Sequence, residues 1–137
     1  MKYFLSIDYG GTNTKAIVFD EEGRQLGQSA FSTKKIEEKA GYREVDLKET
    51  WQGIRQAMRQ AVKNAQLKAE DISALACIGH GKGLYLLDKN GQEFTRGILY
   101  TDERAVELAQ EFEERLDEIW DLTHQHVAAV QNPVLLR

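Results

Sequence analysis

Ile7-Asp8-Tyr9-Gly10-Gly11-Thr12-Asn13-Thr14-Lys15 is the stretch of sequence that decides the fold. An apolar run from Tyr3 to Ile7 leads into it, and a second run from Ala16 to Phe19 leaves it. Both runs have the length and composition of β-strands, and the link between them is rich in glycine and threonine. The pattern therefore predicts a β-hairpin whose turn can meet a phosphate group.

The residues of this turn suit an anion. Gly10 and Gly11 permit positive φ angles and let backbone N–H groups approach a phosphate closely. The threonine hydroxyls can donate to phosphate oxygens, and Lys15 adds a positive charge. Asp8, at the end of the first strand, can hold a hydrated Mg²⁺ ion. An ordinary hairpin turn uses the same residue types, so the turn alone leaves both interpretations open.

Composition limits the class of protein. The chain has 137 residues, 42% apolar and 29% charged, which is typical of one globular domain. Its net charge of −4 argues against nucleic acid as a partner. No apolar stretch is long enough to span a membrane, and the start shows no signal-peptide pattern. A lone Cys77 in an apolar run predicts a buried thiol, and together these features predict a soluble cytoplasmic protein.

Residues 2–8, 14–20 and 24–33 are predicted to form three consecutive strands, which make an N-terminal β-meander. Residues 34–45 are polar and are predicted to form a loop, with an edge strand near residues 42–45.

A helix is predicted next, with Asp46 as its N-cap, Glu49 completing a capping box, and an end near Leu67. Its basic face is predicted to be solvated. The apolar stripe at helical spacing comprises Leu47, Trp51, Ile54, Met58, Ala61, Val62 and Ala65. Residues 72–78 form a nearly continuous apolar run, typical of a strand buried on both faces that pairs in parallel with the first strand.

Three glycines at alternate positions break regular structure in Gly79-His80-Gly81-Lys82-Gly83. Strands at residues 84–87 and 94–100 are predicted to flank a hairpin turn at residues 88–91. A second helix is predicted from Thr101 or Asp102 to about Leu122, and Asn132-Pro133 predicts a further helix start.

His80 and Lys82 are candidate site residues, because ligands of open α/β sheets gather beyond the carboxyl ends of strands. Asp8 and Gly79 each end such a strand, so the two loops could face one cleft. From helical periodicity alone, Asp102 is better explained as a helix cap than as a ligand, and Tyr100 can be explained as a core aromatic residue. His124 and His126 lack the further ligands that a metal site needs.

Four stretches, in order, resemble segments of known proteins. Residues 8–15 resemble the phosphate-binding hairpin of the actin-like ATPase superfamily. Residues 40–51, 79–91 and 97–105 are similar to motifs of FGGY-type carbohydrate kinases and occur in the same order, so that the resemblance extends over essentially the whole chain. The string around Lys82 is most similar to that of the bacterial L-xylulose kinases in this family.

The resemblance implies an α/β domain of the ribonuclease H-like, actin-like ATPase type. It also implies ATP-dependent, Mg²⁺-dependent phosphorylation of a sugar hydroxyl, with a ketopentose such as xylulose as the small-molecule partner. By this resemblance, Asp8 would hold the metal through water. The phosphate-binding residues would be Asp8, Gly10, Gly11, Thr12, Asn13 and Lys15, and the sugar-binding residues would be His80, Lys82, Tyr100, Asp102 and Arg104.

The resemblance further implies that residues 1–137 are an N-terminal fragment that is inactive alone. The general-base Asp is then expected beyond residue 137, and the C-terminal nucleotide-binding domain is absent. Whether the protein forms a homodimer is left open by the sequence. One alternative is a non-catalytic nucleotide-binding module like actin or Hsp70. Another is a ribonuclease H-like nuclease, which needs clustered acidic residues for two metal ions.

Overall fold

The computed structural model describes residues 1–124 and 126–129 of the chain. These residues form two compact units, the first from residues 1–34 and 47–80, the second from residues 35–46 and from 81 onward. In chain order the elements are β1 (Tyr3–Tyr9), β2 (Asn13–Asp20), β3 (Gln25–Ser32), β4 (Glu44–Val45), α1 (Leu47–Asn64), a 3₁₀ turn (Ala69–Asp71), β5 (Ile72–Gly79), β6 (Gly97–Ile98), α2 (Val106–Glu113) and α3 (Leu116–Thr123).

The first unit is a four-stranded sheet in the order β3-β2-β1-β5. β2 is antiparallel to both β1 and β3, and β5 is parallel to β1. The predicted meander, helix and parallel crossover are therefore confirmed, and no strand end differs from its prediction by more than one residue.

Helix α1 covers one face of this sheet. Its buried alanines and Val62 pack against Leu5, Ala16 and Val18. β3 can lie this close because Gly27 has no side chain: a Cβ there would be 2.4 Å from the backbone nitrogen of Ala65. Two details of the predicted helix are wrong. It ends at Asn64 rather than near Leu67, and Trp51 is 58% exposed instead of lying in the buried stripe.

Strand β5 is not buried as predicted. Seven of its eight residues are exposed, and Leu75 and Ile78 are 49% and 66% exposed. β5 is the edge strand of the sheet and pairs with β1 alone within the described residues. An apolar run shows that a strand has apolar side chains, but it does not show that another layer covers them. Cys77 lies on this strand and is exposed, so the predicted buried thiol is wrong for the same reason.

The second unit contains the antiparallel pair β4 and β6. β4 confirms the predicted edge strand near residues 42–45. The strands predicted at residues 84–87 and 94–100 shorten to β6 and isolated bridges at Leu84 and Leu87. The turn between them is confirmed, because the Asp88 carboxylate accepts the N–H groups of Asn90 and Gln92, each at 2.8 Å.

The predicted second helix is two helices, α2 and α3, separated at Glu114 and Arg115. The N-cap of α2 is Ala105, so the prediction of a cap at Thr101 or Asp102 is wrong. The carboxylate of Asp102 is instead bound by arginine groups, as described below. The helix start predicted at Asn132-Pro133 lies outside the described residues. In the part of the chain that the structure describes, no helix has the length and apolar composition needed to cross a membrane.

Candidate functional site

The β1–β2 turn is closed by its own backbone. The N–H of Gly10 donates to the carbonyl oxygen of Asn13 at 3.1 Å. A Cβ at Gly10 would be 2.7 Å from that oxygen, so the turn requires glycine. Neither Gly10 nor Gly11 has the positive φ that glycine permits. Glycine is needed here for a close backbone approach, and the Gly10 N–H is used within the turn.

Four polar side chains of this hairpin are exposed to solvent: Asp8, Thr12, Asn13 and Lys15. Asp8 and Lys15 are directly opposite in the β1–β2 register. Thr14 differs, because it is fully buried and its hydroxyl has no hydrogen-bond partner among the described residues. Thr14 therefore belongs to the core, and phosphate binding by the four exposed side chains stays a prediction.

His80 lies at the same end of the sheet as the hairpin. Its N–H donates to the carbonyl oxygen of Tyr9 at 3.1 Å, and the two rings are 5.2 Å apart. The register places Asp8 opposite Ile78 in β5. The structure therefore brings His80 to the end of β1 that carries Asp8, as the pairing of two parallel strands predicts.

In the second unit, the loop that carries Lys82 packs beside the backbone of Tyr100. A Cβ at Gly83 would be 2.7 Å from the carbonyl oxygen of Ile98 and 3.4 Å from the nitrogen of Tyr100, so the loop packs directly on this segment. Gly83 has a φ of +78° and Lys82 a φ of +65°. Positive φ is costly for a lysine and is found preferentially at functional sites. The Lys82 side chain is exposed, and Tyr100 is 40% exposed.

Asp102 is 1% exposed, and both its carboxylate oxygens are occupied. Oδ1 accepts the N–H and Nε of Arg104 at 3.0 and 2.8 Å. Oδ2 accepts the N–H of Arg43 at 2.6 Å and Nη2 of Arg104 at 2.9 Å. Burial alone would raise the pKa of this carboxyl, but these hydrogen bonds outweigh it and the pKa is lowered below its ordinary value. A sugar contact at Asp102 stays a prediction.

Arg104 has further partners that the sequence did not indicate. Its Nη2 donates to Glu44 Oε1 at 2.8 Å, and its guanidinium lies 4.0 Å from the centroid of the Tyr42 ring. Its hydrogen bond to Asp102 is the main cause of a raised guanidinium pKa. Glu44 also accepts Arg96 at 3.3 Å, and Arg96 donates to Glu38 at 3.0 Å. Tyr42 and Glu44 lie in the motif at residues 40–51. Nothing in the sequence around them indicates that they contact Arg104.

The candidate residues thus form two groups. The hairpin and His80 lie in the first unit, and Lys82, Tyr100, Asp102 and Arg104 lie in the second. A cleft shared by both groups stays a prediction.

Among the described residues, no three His, Cys, Asp or Glu side chains are placed to hold a metal ion together. Within this described part of the chain, His124 and His126 belong to no such group, and the clustered acids of a two-metal nuclease are not found there either. One exposed carboxylate, Asp8, does fit Mg²⁺, because this ion keeps several waters and is held largely by substrate phosphates.

The model of the "FGGY family of carbohydrate kinases, N-terminal domain" matches residues 3–134. A Pasteurella multocida protein named "Probable L-xylulose kinase" is 36% identical over 115 residues, covering 84% of this chain and 24% of that protein. An autoinducer-2 kinase of Klebsiella pneumoniae is 34% identical, covering 99% of this chain and 27% of that protein.

A Brucella ovis "xyloylose kinase" of known crystal structure matches with a TM-score of 0.85 at 21% identity, over 98% of this chain and 28% of that one. At this identity the match shows the fold. The chain spans about a quarter of the length of the curated relatives that it matches.

Proposed function

This chain belongs to the FGGY family of carbohydrate kinases and has their actin-like ATPase fold, and from that premise we propose that the protein transfers a phosphoryl group from ATP to a hydroxyl of a sugar. A ketopentose such as xylulose is the proposed substrate. The name of one relative, a probable L-xylulose kinase, supports a ketopentose. Another relative is an autoinducer-2 kinase, so the proposed class of phosphate acceptors is wider than the pentuloses.

The β1–β2 hairpin carries this proposal. Its turn is tightly closed, and it presents Asp8, Thr12, Asn13 and Lys15 to solvent on one short segment. A hydroxyl, an amide and an ammonium group can together donate to several phosphate oxygens. Phosphoryl transfer depends mostly on positioning and on neutralising charge, which is what these groups supply.

Mg²⁺, when bound with ATP, would neutralise charge on the phosphates, and Asp8 is the residue proposed to hold it through water. Asp8 suits this role because it is exposed and its Cα partner is Lys15. The carboxylate and the ammonium group can therefore act on the same phosphate chain from one face of the hairpin.

The sugar is proposed to contact Lys82 and Tyr100. Both are exposed, and the packing of Gly83 on Ile98 and Tyr100 fixes the loop beside them. His80 is a further proposed contact. We assign the general base to none of the described residues, and the expectation of an Asp beyond residue 137 stays part of the proposal.

The experiment is a phosphorylation screen of D- and L-ketopentoses by the complete protein that carries these residues, read as sugar-dependent ADP release. Release with a pentulose, abolished by omitting Mg²⁺, is expected. ATP binding without any sugar-dependent turnover would overturn the proposal and favour a non-catalytic nucleotide-binding module. The 137-residue chain alone is the matched control and is expected to be inactive.

A further inference from the structure

Residues 41–44 make a continuous set of contacts with residues 102–104, and the residues in contact are 59 to 62 positions apart in the chain. The carbonyl of Gly41 accepts the N–H of Glu103 at 2.7 Å. The N–H of Arg43 donates to Asp102 at 2.6 Å. These bonds lie within the second unit. They join residues 41–43 to the turn that follows Tyr100.

Glu44 occupies the centre of a line of alternating charges. One of its carboxylate oxygens accepts Arg104 and the other accepts Arg96. The side chain of Glu44 is 18% exposed, that of Arg104 is 20% exposed, and that of Asp102 is fully buried. Because the Glu44–Arg104 ion pair is largely shielded from water, its geometry is held more firmly than that of a surface ion pair.

The guanidinium of Arg104 is confined on three sides. Asp102 and Glu44 bind its nitrogens, and the Tyr42 ring lies 4.0 Å from its central carbon. A planar guanidinium group bound in this way has one orientation. A lysine ammonium group could not make the same set of contacts. Arg104 therefore joins Glu44 to Asp102 through one guanidinium group.

This arrangement reaches the candidate sugar residues through the backbone. Glu44 pairs with Ile98 in the β4–β6 ladder, and the N–H of Leu99 donates to Arg43 at 2.9 Å. Ile98 in turn exchanges two hydrogen bonds with Leu84, directly after the Lys82–Gly83 loop. The strand that carries Glu44 is thus bonded to the segment that leads into Tyr100.

We propose that Glu44 is a positioning residue for sugar binding: through Arg104 it holds the Asp102 turn, and so fixes Tyr100 and the Lys82 loop in their binding geometry. Asp102 acts in the same way and not as a direct sugar ligand, because its oxygens are already taken. This inference rests on the proposed sugar kinase function.

The test compares Glu44→Gln with Glu118→Gln in the complete protein. Both changes remove a carboxylate from an arginine, but the Glu118–Arg115 pair is on the surface, with side chains 65% and 62% exposed. Glu44→Gln is expected to lower kcat/KM for the sugar by roughly 10-fold to 100-fold, mainly through KM, because small displacements of positioning groups cost this much. In Glu44→Gln the KM for ATP is expected to stay unchanged. In Glu118→Gln the KM for the sugar and the KM for ATP are both expected to stay unchanged.

Two further variants separate positioning from simple loss of stability. Combining Glu44→Gln with Arg104→Lys should be no worse than Arg104→Lys alone, because the effect passes through Arg104. If Glu44→Gln fails to fold, Tyr42→Leu weakens the hold on the same guanidinium and is expected to raise the sugar KM likewise.

A sugar KM equal to the wild type in folded Glu44→Gln, whatever its melting temperature, overturns the inference and leaves the proposed function standing. Additive effects of the two substitutions also overturn it. Absence of sugar phosphorylation by the wild-type protein removes the proposed function, and the inference with it.

Discussion

Asp8 and Lys15 are Cα partners across β1 and β2, and one further pair, Tyr9 and Thr14, separates them from the turn that the Gly10–Asn13 hydrogen bond closes. Paired residues of an antiparallel ladder project from the same face of the sheet. Both are exposed, so the hairpin presents a carboxylate and an ammonium group side by side to solvent. This pairing gives the proposed metal and phosphate roles a common location.

Asp8→Asn is expected to lower the Mg²⁺-dependent rate of sugar phosphorylation by roughly 10²-fold, because several kcal/mol of charge stabilisation depend on the metal. The fold should be unaffected, since substitution of an exposed residue changes stability by about 0.5 kcal/mol or less. Turnover is measured against Mg²⁺ concentration, with Asp117→Asn, an exposed carboxylate on α3, as the control. A normal Mg²⁺ dependence in Asp8→Asn would remove Asp8 from the site.

Gly83→Ala is expected to destabilise the protein by about 1–3 kcal/mol, through an unfavourable φ and a forced contact. Its Cβ would be 2.7 Å from the Ile98 carbonyl oxygen, whereas a Cβ at Gly81 would meet nothing within 4 Å. Gly81→Ala, two residues away in the same loop, is therefore the matched control and should be neutral or slightly stabilising. Urea unfolding of the two variants measures the difference, and equal stabilities would contradict the packing of the loop on Ile98.

The meander, helix α1 and the parallel crossover could be predicted because their signals are local. Alternating apolar residues, turn residues and a helical stripe each specify an element within a few positions. The Asp88 turn was predictable for the same reason. Gly10 was expected to let its backbone approach a phosphate closely, and only the structure shows that glycine is needed there because Gly10 lies so near the carbonyl oxygen of Asn13.

The remaining features depend on contacts between residues that are far apart in sequence. Asp102 looks like a helix cap, because a carboxylate before a helical pattern normally is one. Arg43 and Arg104 bind it instead, and one of them comes from a segment 59 residues earlier. The exposure of β5 likewise depends on which layers surround a strand, and that information is not contained in the strand's own composition.

Cys77 in the 137-residue chain is expected to react with a thiol reagent such as DTNB without denaturant, because it is exposed on edge strand β5. One thiol per chain should react, and Cys77→Ser should give no signal. A thiol that becomes reactive only in denaturant would show that β5 is covered.

The stability of the second unit should depend on pH through Asp102. Its pKa is lowered in the folded state, despite burial, by hydrogen bonds from Arg104 and the Arg43 amide. A carboxyl with a depressed pKa contributes stability that is fully present above its unfolded pKa of about 3.9 and is lost as the pH falls through its lower folded value. The wild type is therefore expected to lose stability as the pH falls below about 4.

Asp102→Asn tests this dependence, because it removes the charge and keeps the shape. Its stability at neutral pH should be lower than that of the wild type, since Arg104 then lacks its buried counter-ion. The difference between the two proteins should shrink as the pH falls, because protonation neutralises the wild-type carboxyl as well. Urea unfolding across the pH range measures this difference. A difference that stays constant down to about pH 2 would show that Asp102 contributes shape rather than charge.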